Sequence, residues 1–98
     1  MPAYLIAEHK ITDTAKFEEY RVKVGPIIAR HGGRYVTKGG SQKVLEADNA
    51  VWQPDRVVII EFPDMAALNA WYSDVDYQPL IPLRRGAARD MLITLEGA

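Results

Sequence analysis

A short segment near the start of the chain is echoed in its second half, and this echo limits the possible folds more than any other feature. Asp13–Tyr20 corresponds to Asp64–Trp71, fifty-one positions later. Each segment follows a strand-like apolar run and begins with an aspartate, a residue that commonly caps a helix. Each then places an apolar residue four positions after the aspartate and an aromatic residue seven positions after it: Phe17 and Tyr20, then Leu68 and Trp71. The echo predicts two β-α-β units of similar length.

Periodicity around the two segments predicts a ferredoxin-like β-α-β-β-α-β order, an α+β fold with helices on one sheet face. The first helix should kink near Val22–Gly25 because of Pro26, and should end at Gly32. The glycine pair at 39–40 predicts a bulge or bend inside the second strand. A loop should occupy Asn49–Asp55. The predicted strands are Tyr4–Ile11, Arg34–Asp48, Arg56–Phe62 and Met91–Glu96.

Two further helical segments are predicted from the second half. Asp64 should cap a helix that buries Met65, Leu68, Trp71 and Tyr72. Asp76 is a candidate cap for a short third helix, which Pro82 should shorten or distort.

Composition indicates a single globular domain over residues 1–98 that is neither a membrane protein nor a nucleic-acid-binding protein. The net charge is −1, no cysteine is present, and the longest apolar runs are far too short to span a membrane. The first ten residues lack the pattern of a signal peptide, so we expect a cytoplasmic protein.

Apolar residues occupy both faces of the predicted strands. Val57–Ile60 is continuously apolar, and Leu5 with Ile6 and Leu92 with Ile93 repeat the pattern. An antiparallel sheet that is open to water on one face should instead alternate with polar residues. We therefore expect the second face to meet another copy of the chain in a two-fold homodimer.

Four segments together resemble the family catalogued as domain of unknown function 1330. They are GGRYVTKGG (32–40), WQPDRVVIIEFPD (52–64), AWYSDVDYQPLIPLR (70–84) and the ending LITLEGA. The resemblance implies a dimeric α+β barrel, a superfamily that includes cofactor-free monooxygenases, a lactone isomerase and haem-processing enzymes. The third helix of that family is usually rich in alanine and leucine, whereas Pro79 and Pro82 interrupt it here.

Glu61 and His9 are the candidate catalytic residues. Glu61 ends the most apolar strand, where partial burial would raise its pKa and suit it to acid–base catalysis. The alternative is a structural ion pair with Arg34, Arg56 or Lys38. His9 shares a strand face with apolar residues and is a candidate proton shuttle, or else a hydrogen-bonded structural histidine.

The candidate substrate-binding residues are aromatic or cationic. Trp71, Tyr72 and Tyr77 could line a pocket, with core packing or dimer contacts as the alternative. Arg34, Tyr35 and Arg84 could hold an anionic ligand, with solvated or dimer-bridging arginines as the alternative.

The two histidines have no metal-ligand spacing, so neither a metal site nor a cofactor is predicted. The leading functional hypothesis is a cofactor-independent enzyme that acts on a small organic acid or an aromatic compound. The alternative is a non-catalytic small-molecule-binding or dimerisation module.

Overall fold

The computed structural model describes residues 1–48 and 52–98. One antiparallel sheet has the strand order β2-β3-β1-β4. Since β3 lies between β1 and β2, the arrangement is ferredoxin-like, and the predicted α+β class is confirmed. The elements are β1 Ala3–Ile11, α1 Thr14–Arg30, β2 Arg34–Lys38, β3 Arg56–Phe62, α2 Met65–Tyr72, α3 Leu80–Ala87 and β4 Ala88–Glu96.

The two echoed segments form matching helix starts. The Asp13 carboxylate accepts a hydrogen bond from the Lys16 backbone N–H at 3.0 Å, and the Asp64 carboxylate accepts one from Ala67 at 2.8 Å. Both aspartates thereby satisfy a backbone donor that the first helical turn leaves unpaired. The apolar and aromatic positions that follow are all buried in one core: Phe17, Tyr20, Leu68 and Trp71.

Helix α1 runs without interruption through Pro26, and the kink near Val22–Gly25 stays a prediction. The helix ends as predicted at the glycine pair. Gly32 adopts a left-handed φ of 77°, and the Gly33 N–H donates to the Ile28 carbonyl at 3.0 Å.

We predict that Gly33→Ala lowers the free energy of unfolding by about 1–3 kcal/mol through overpacking. An added Cβ would lie 2.6 Å from Ile28 Cγ2 and 2.7 Å from Phe62 Cε1, and both side chains are buried. Gly86→Ala is the matched control, because Gly86 lies in α3 with no atom within 4 Å of an added Cβ. Alanine there should be neutral or stabilising. Urea denaturation measures both, and equal losses of stability would contradict the overpacking argument.

The second strand is shorter than predicted, and of the two alternatives predicted at the glycine pair the structure shows the bend, at Gly39. β2 ends at Lys38, and its register shifts between Tyr35 and Thr37, so the bulge lies at Val36 and not at the glycine pair. Gly39 has a left-handed φ of 86°, and a Cβ there would overlap the Arg56 side chain. These features take the chain out of the sheet, and residues 41–48 form neither helix nor strand. Of the predicted loop 49–55, residues 49–51 lie outside the described residues, and 52–55 are irregular.

Helix α3 also differs from its prediction. Asp76 does not cap it, because Pro79 occupies the N-cap position, and the Asp76 carboxylate instead pairs with Arg30 at 3.0 Å. The helix continues through Pro82, since a proline in the first helical turn lacks only a backbone N–H that has no helical partner. In α2, the predicted burial of Tyr72 was wrong: this side chain is 40% exposed.

The two faces of the sheet have different environments. On the helix-covered face, Ala3, Leu5, Ala7 and His9 of β1 are buried. On the other face, which we call the open face, the register aligns three isoleucines across three strands: Ile59, Ile6 and Ile93. Tyr4 and Leu95 lie beside them in the next row. The open face therefore presents an unpartnered apolar surface, as the sequence predicted.

Candidate functional site

A cavity of about 280 Å³ lies between α1 and the helix-covered face of the sheet. This volume suits a small organic molecule. Its walls are mainly apolar because both elements turn their buried residues towards it. These include Leu5, Ala7, Val58 and Ile60 from the sheet and Phe17, Val24 and Ile28 from α1.

His9 lines this cavity and belongs to a buried chain of polar side chains. The register places His9 of β1 directly opposite Asp90 of β4. His9 Nδ1 lies 3.1 Å from Asp90 Oδ2, and Arg84 Nη1 donates to Asp90 Oδ1 at 2.7 Å. All three side chains are more than nine-tenths buried. The Asp90 carboxylate therefore lies between the other two side chains. One of its oxygens contacts His9, and the other contacts Arg84.

The hydrogen bond to Asp90 fixes the tautomer of the imidazole. Burial alone would raise the pKa of Asp90, but the hydrogen bonds from His9 and Arg84 and the Arg84 charge outweigh it and lower that pKa. A carboxylate can only accept, so His9 Nδ1 carries the hydrogen. In the neutral ring Nε2 is then the nitrogen with a free lone pair, and it makes no hydrogen bond with the described residues. The arrangement can accept a proton at Nε2 from a molecule in the cavity.

An aromatic cluster closes the inner part of the core. Tyr20 Oη and Tyr77 Oη are 3.0 Å apart, and the Trp71 and Tyr77 rings are in contact, with centroids 4.3 Å apart and planes tilted by 38°. Burial raises the pKa of Tyr20 and of Tyr77, so both phenols stay protonated at neutral pH. Trp71 lines the cavity, and its indole N–H has no hydrogen-bond partner among the described residues.

Only some of the predicted site residues line the cavity. His9, Tyr35 and Trp71 line the cavity, whereas Tyr77 and Arg84 lie behind them in the core. Tyr72, Glu61 and Arg34 do not line the cavity.

Glu61 lies on the open face, where it pairs with Arg34 directly across the register. Arg34 Nε donates to Glu61 Oε2 at 3.2 Å, and a hydrogen bond between Tyr4 and Glu61 is the main cause that raises the pKa of Tyr4. The Glu61 side chain is 27% exposed and that of Arg34 66% exposed. Glu61 is thus more than half buried and has a cationic partner. These contacts support the ion-pair interpretation of Glu61.

Sequence reasoning missed four residues that complete the site. Asp90 was not proposed, and Arg21, Lys38 and Arg56 were not assigned to a pocket, yet all three cations line the cavity. The parity of strand positions could have found Arg56, because residues 56, 58 and 60 share one face of β3. No group of three or more histidine, cysteine, aspartate or glutamate residues in the described part of the chain could hold a metal ion. No helix there is long and apolar enough to cross a membrane.

Comparison with known families shows which family the chain belongs to. The family described as domain of unknown function (DUF1330) matches residues 2–98. The chain belongs to the DUF1330 family. No curated protein matches the chain.

Solved structures show the same fold as this DUF1330 chain. A protein of unknown function from Rhodopseudomonas palustris has a TM-score of 0.79 at 23% identity, covering 99% of this chain and 82% of its own. A dimeric ferredoxin-like protein of unknown function from Jannaschia sp. CCS1 has a TM-score of 0.68 at 14% identity, covering 99% and 100%. SnoaB, a cofactor-independent oxygenase from Streptomyces nogalater, has a TM-score of 0.65 at 13% identity, covering 99% and 93%. At these identities the likeness shows the fold alone.

Proposed function

We propose that the protein is a cofactor-independent enzyme that transfers a proton to or from a small organic acid or aromatic compound bound in the cavity. The observation that carries this proposal is the buried His9–Asp90 pair at the cavity wall, 3.1 Å apart. A carboxylate behind a histidine fixes its tautomer and stabilises the imidazolium that forms when the ring accepts a proton. The fold that the chain shares with SnoaB, a cofactor-independent oxygenase, is consistent with this chemistry.

The proposed step begins with a ligand whose acidic C–H or O–H faces His9 Nε2. Nε2 takes the proton, Asp90 stabilises the imidazolium through Nδ1–H, and the ligand keeps the electron pair as an anion. A carbanion formed in this way can be protonated at another atom, which gives an isomer. It can also add to dioxygen, which then supplies the oxidising equivalents for an oxygenation.

A non-catalytic binding module is the second candidate, and the contact between Arg84 and Asp90 favours it. Arg84 Nη1 lies 2.7 Å from Asp90 and already balances the carboxylate charge. In that case His9 only completes the wall of a binding cavity, and Asp90 holds it in place.

We also propose that the protein is a cytoplasmic homodimer that pairs through the open face. The row Ile59, Ile6 and Ile93 supports this assembly, because soluble monomers rarely expose a contiguous apolar surface of this kind. The Jannaschia protein with the same fold is described as dimeric.

Exchange of solvent deuterium tests the enzymatic proposal without knowledge of the full reaction. Small aromatic and keto acids are incubated with the protein in D₂O, and NMR follows their acidic C–H positions. Wild-type protein should accelerate exchange for at least one compound, and His9→Gln should reduce the rate about 10²–10⁴-fold. His31→Gln, a matched change outside the cavity, should keep the rate.

Two results would overturn catalysis. The His9→Gln variant could accelerate deuterium exchange of the compounds as much as wild type does, which would show that His9 is not the base. Alternatively, compounds could bind in the cavity while none exchanges, which would establish the binding module.

A further inference from the structure

Three cationic side chains from three different elements line the cavity. They are Arg21 of α1, Lys38 at the end of β2 and Arg56 at the start of β3. Among the described lining residues there is no aspartate and no glutamate. The charge that lines the cavity is therefore of one sign, although the chain as a whole carries a net charge of −1.

Two of these cations lack an ion-pair partner among the described residues. The Lys38 ammonium lies 4.8 Å from the centroid of the Tyr35 ring, and the Arg56 guanidinium carbon lies 5.8 Å from that of Phe17. Only Arg21 is neutralised, by Glu18 at 2.8 Å. Cation–π contacts orient Lys38 and Arg56 without consuming their charge or all of their N–H donors. An anion at this position would form charge-assisted hydrogen bonds beside apolar walls, where such bonds are strong.

Trp71 provides an independent sign of a ligand. Its side chain is 1% exposed, it lines the same cavity, and its indole N–H has no partner among the described residues. An indole nitrogen is a donor only, and a buried donor without an acceptor is costly. A ligand oxygen in the cavity would satisfy it.

We infer that the cavity binds a small aromatic anion, a carboxylate or a phosphate, whose charged group lies against Lys38 and Arg56. Its ring occupies the apolar interior, and a further oxygen atom accepts the Trp71 N–H. Lys38 is exposed, so the charged group lies at the solvent end of the cavity. The inference rests on the proposed function only in taking this cavity as the ligand site, and it narrows the substrate class from neutral or acidic compounds to anions.

Binding of matched probes tests this charge preference. The probes are 4-hydroxyphenylacetate, 4-hydroxyphenyl phosphate and the neutral 4-hydroxyphenylacetamide. Calorimetry measures affinity, and the indole N–H signal of Trp71 in NMR reports occupancy of the cavity. At least one anion should bind tenfold or more tightly than the amide and should shift the Trp71 signal. The better of the two anions shows whether the natural ligand is a carboxylate or a phosphate.

Two variants test whether Lys38 and Arg56 cause the preference for anions. Lys38→Gln and Arg56→Gln should each reduce anion affinity several-fold and leave amide affinity unchanged. Arg85→Gln is the control, because this exposed arginine of α3 does not line the cavity. Equal affinity for anion and amide would overturn the inference, as would an anion preference that survives both variants or a Trp71 signal that no probe shifts.

The two proposals fail in distinguishable ways. Selective anion binding without deuterium exchange refutes catalysis and leaves this inference standing. Exchange that depends on His9 but is equally fast for neutral and anionic compounds refutes this inference and leaves catalysis standing.

Discussion

Asp90→Asn should lower the free energy of unfolding by about 3 kcal/mol. The change removes the charge that compensates Arg84, whose side chain is buried, and it disturbs the hydrogen bond to His9. Breaking a buried ion pair by removing one partner typically costs about 3–5 kcal/mol, because the remaining charge stays desolvated. Urea denaturation at pH 7 and equal protein concentration measures the loss.

The control for this variant is Asp76→Asn. Asp76 is an exposed carboxylate that pairs with Arg30, so its loss should cost under about 1 kcal/mol. Equal stabilities of the Asp90 and Asp76 variants would show that the buried chain of His9, Asp90 and Arg84 contributes little to the fold.

The lowered pKa of Asp90 predicts how folding stability changes with pH. The pKa of Asp90 is lowered in the folded state, so its stabilising contribution is present in full above the ordinary aspartate pKa of about 3.9. The contribution is lost as the pH falls through the lower pKa of the folded state. Stability should therefore decline less steeply in acid for Asp90→Asn than for wild type.

Ile93→Asp should convert a dimer into a folded monomer. Ile93 lies at the end of the isoleucine row on the open face and is 46% exposed in the single chain, so aspartate is compatible with the fold. In a homodimer the two-fold axis would bury two such carboxylates in an apolar interface. An obligate interface of this type commonly buries roughly 2,000 Å² or more.

Sedimentation at low micromolar concentration measures this effect. Wild type should sediment at about 22 kDa, twice the chain mass of 11.0 kDa, and the variant as a single chain. Val75→Asp is the control, because Val75 is exposed in the turn between α2 and α3, away from the open face. A monomeric wild type would refute the dimer, as would an Ile93→Asp variant that stays dimeric.

Local signals predicted most of the fold. The helix caps Asp13 and Asp64 and the strand from Arg56 to Phe62 depend on residues near in sequence, and the structure confirms them. The start of β4 was missed because Arg89 and Asp90 are polar and have weak strand propensity. They are extended because they pair with β1, which lies far away in sequence. For the same reason Asp90 was not proposed as the partner of His9.

The candidate site was less predictable because it depends on which face each side chain occupies. Glu61 was given three possible cationic partners, and only Arg34 shares its face. Arg56 is an odd number of positions from Glu61 in the same strand, so the pleat turns the two apart. Lys38 could not be placed in this way, since its face depends on a bulge whose position the sequence did not predict.

The bulge at Val36 places the two cations of β2, Arg34 and Lys38, on opposite faces of the sheet. Without it, Arg34 and Lys38 are four positions apart and would project from the same side of the sheet. With it, Arg34 stays opposite Glu61, while Lys38 is opposite Val58 and lines the cavity. One inserted residue thus divides the positive charge of a short edge strand between the surface proposed for self-association and the pocket proposed for ligands. A change that abolishes the bulge but keeps all five residues would move Lys38 from the cavity to the open face. It would alter both surfaces together, although the chain would lose no charged residue.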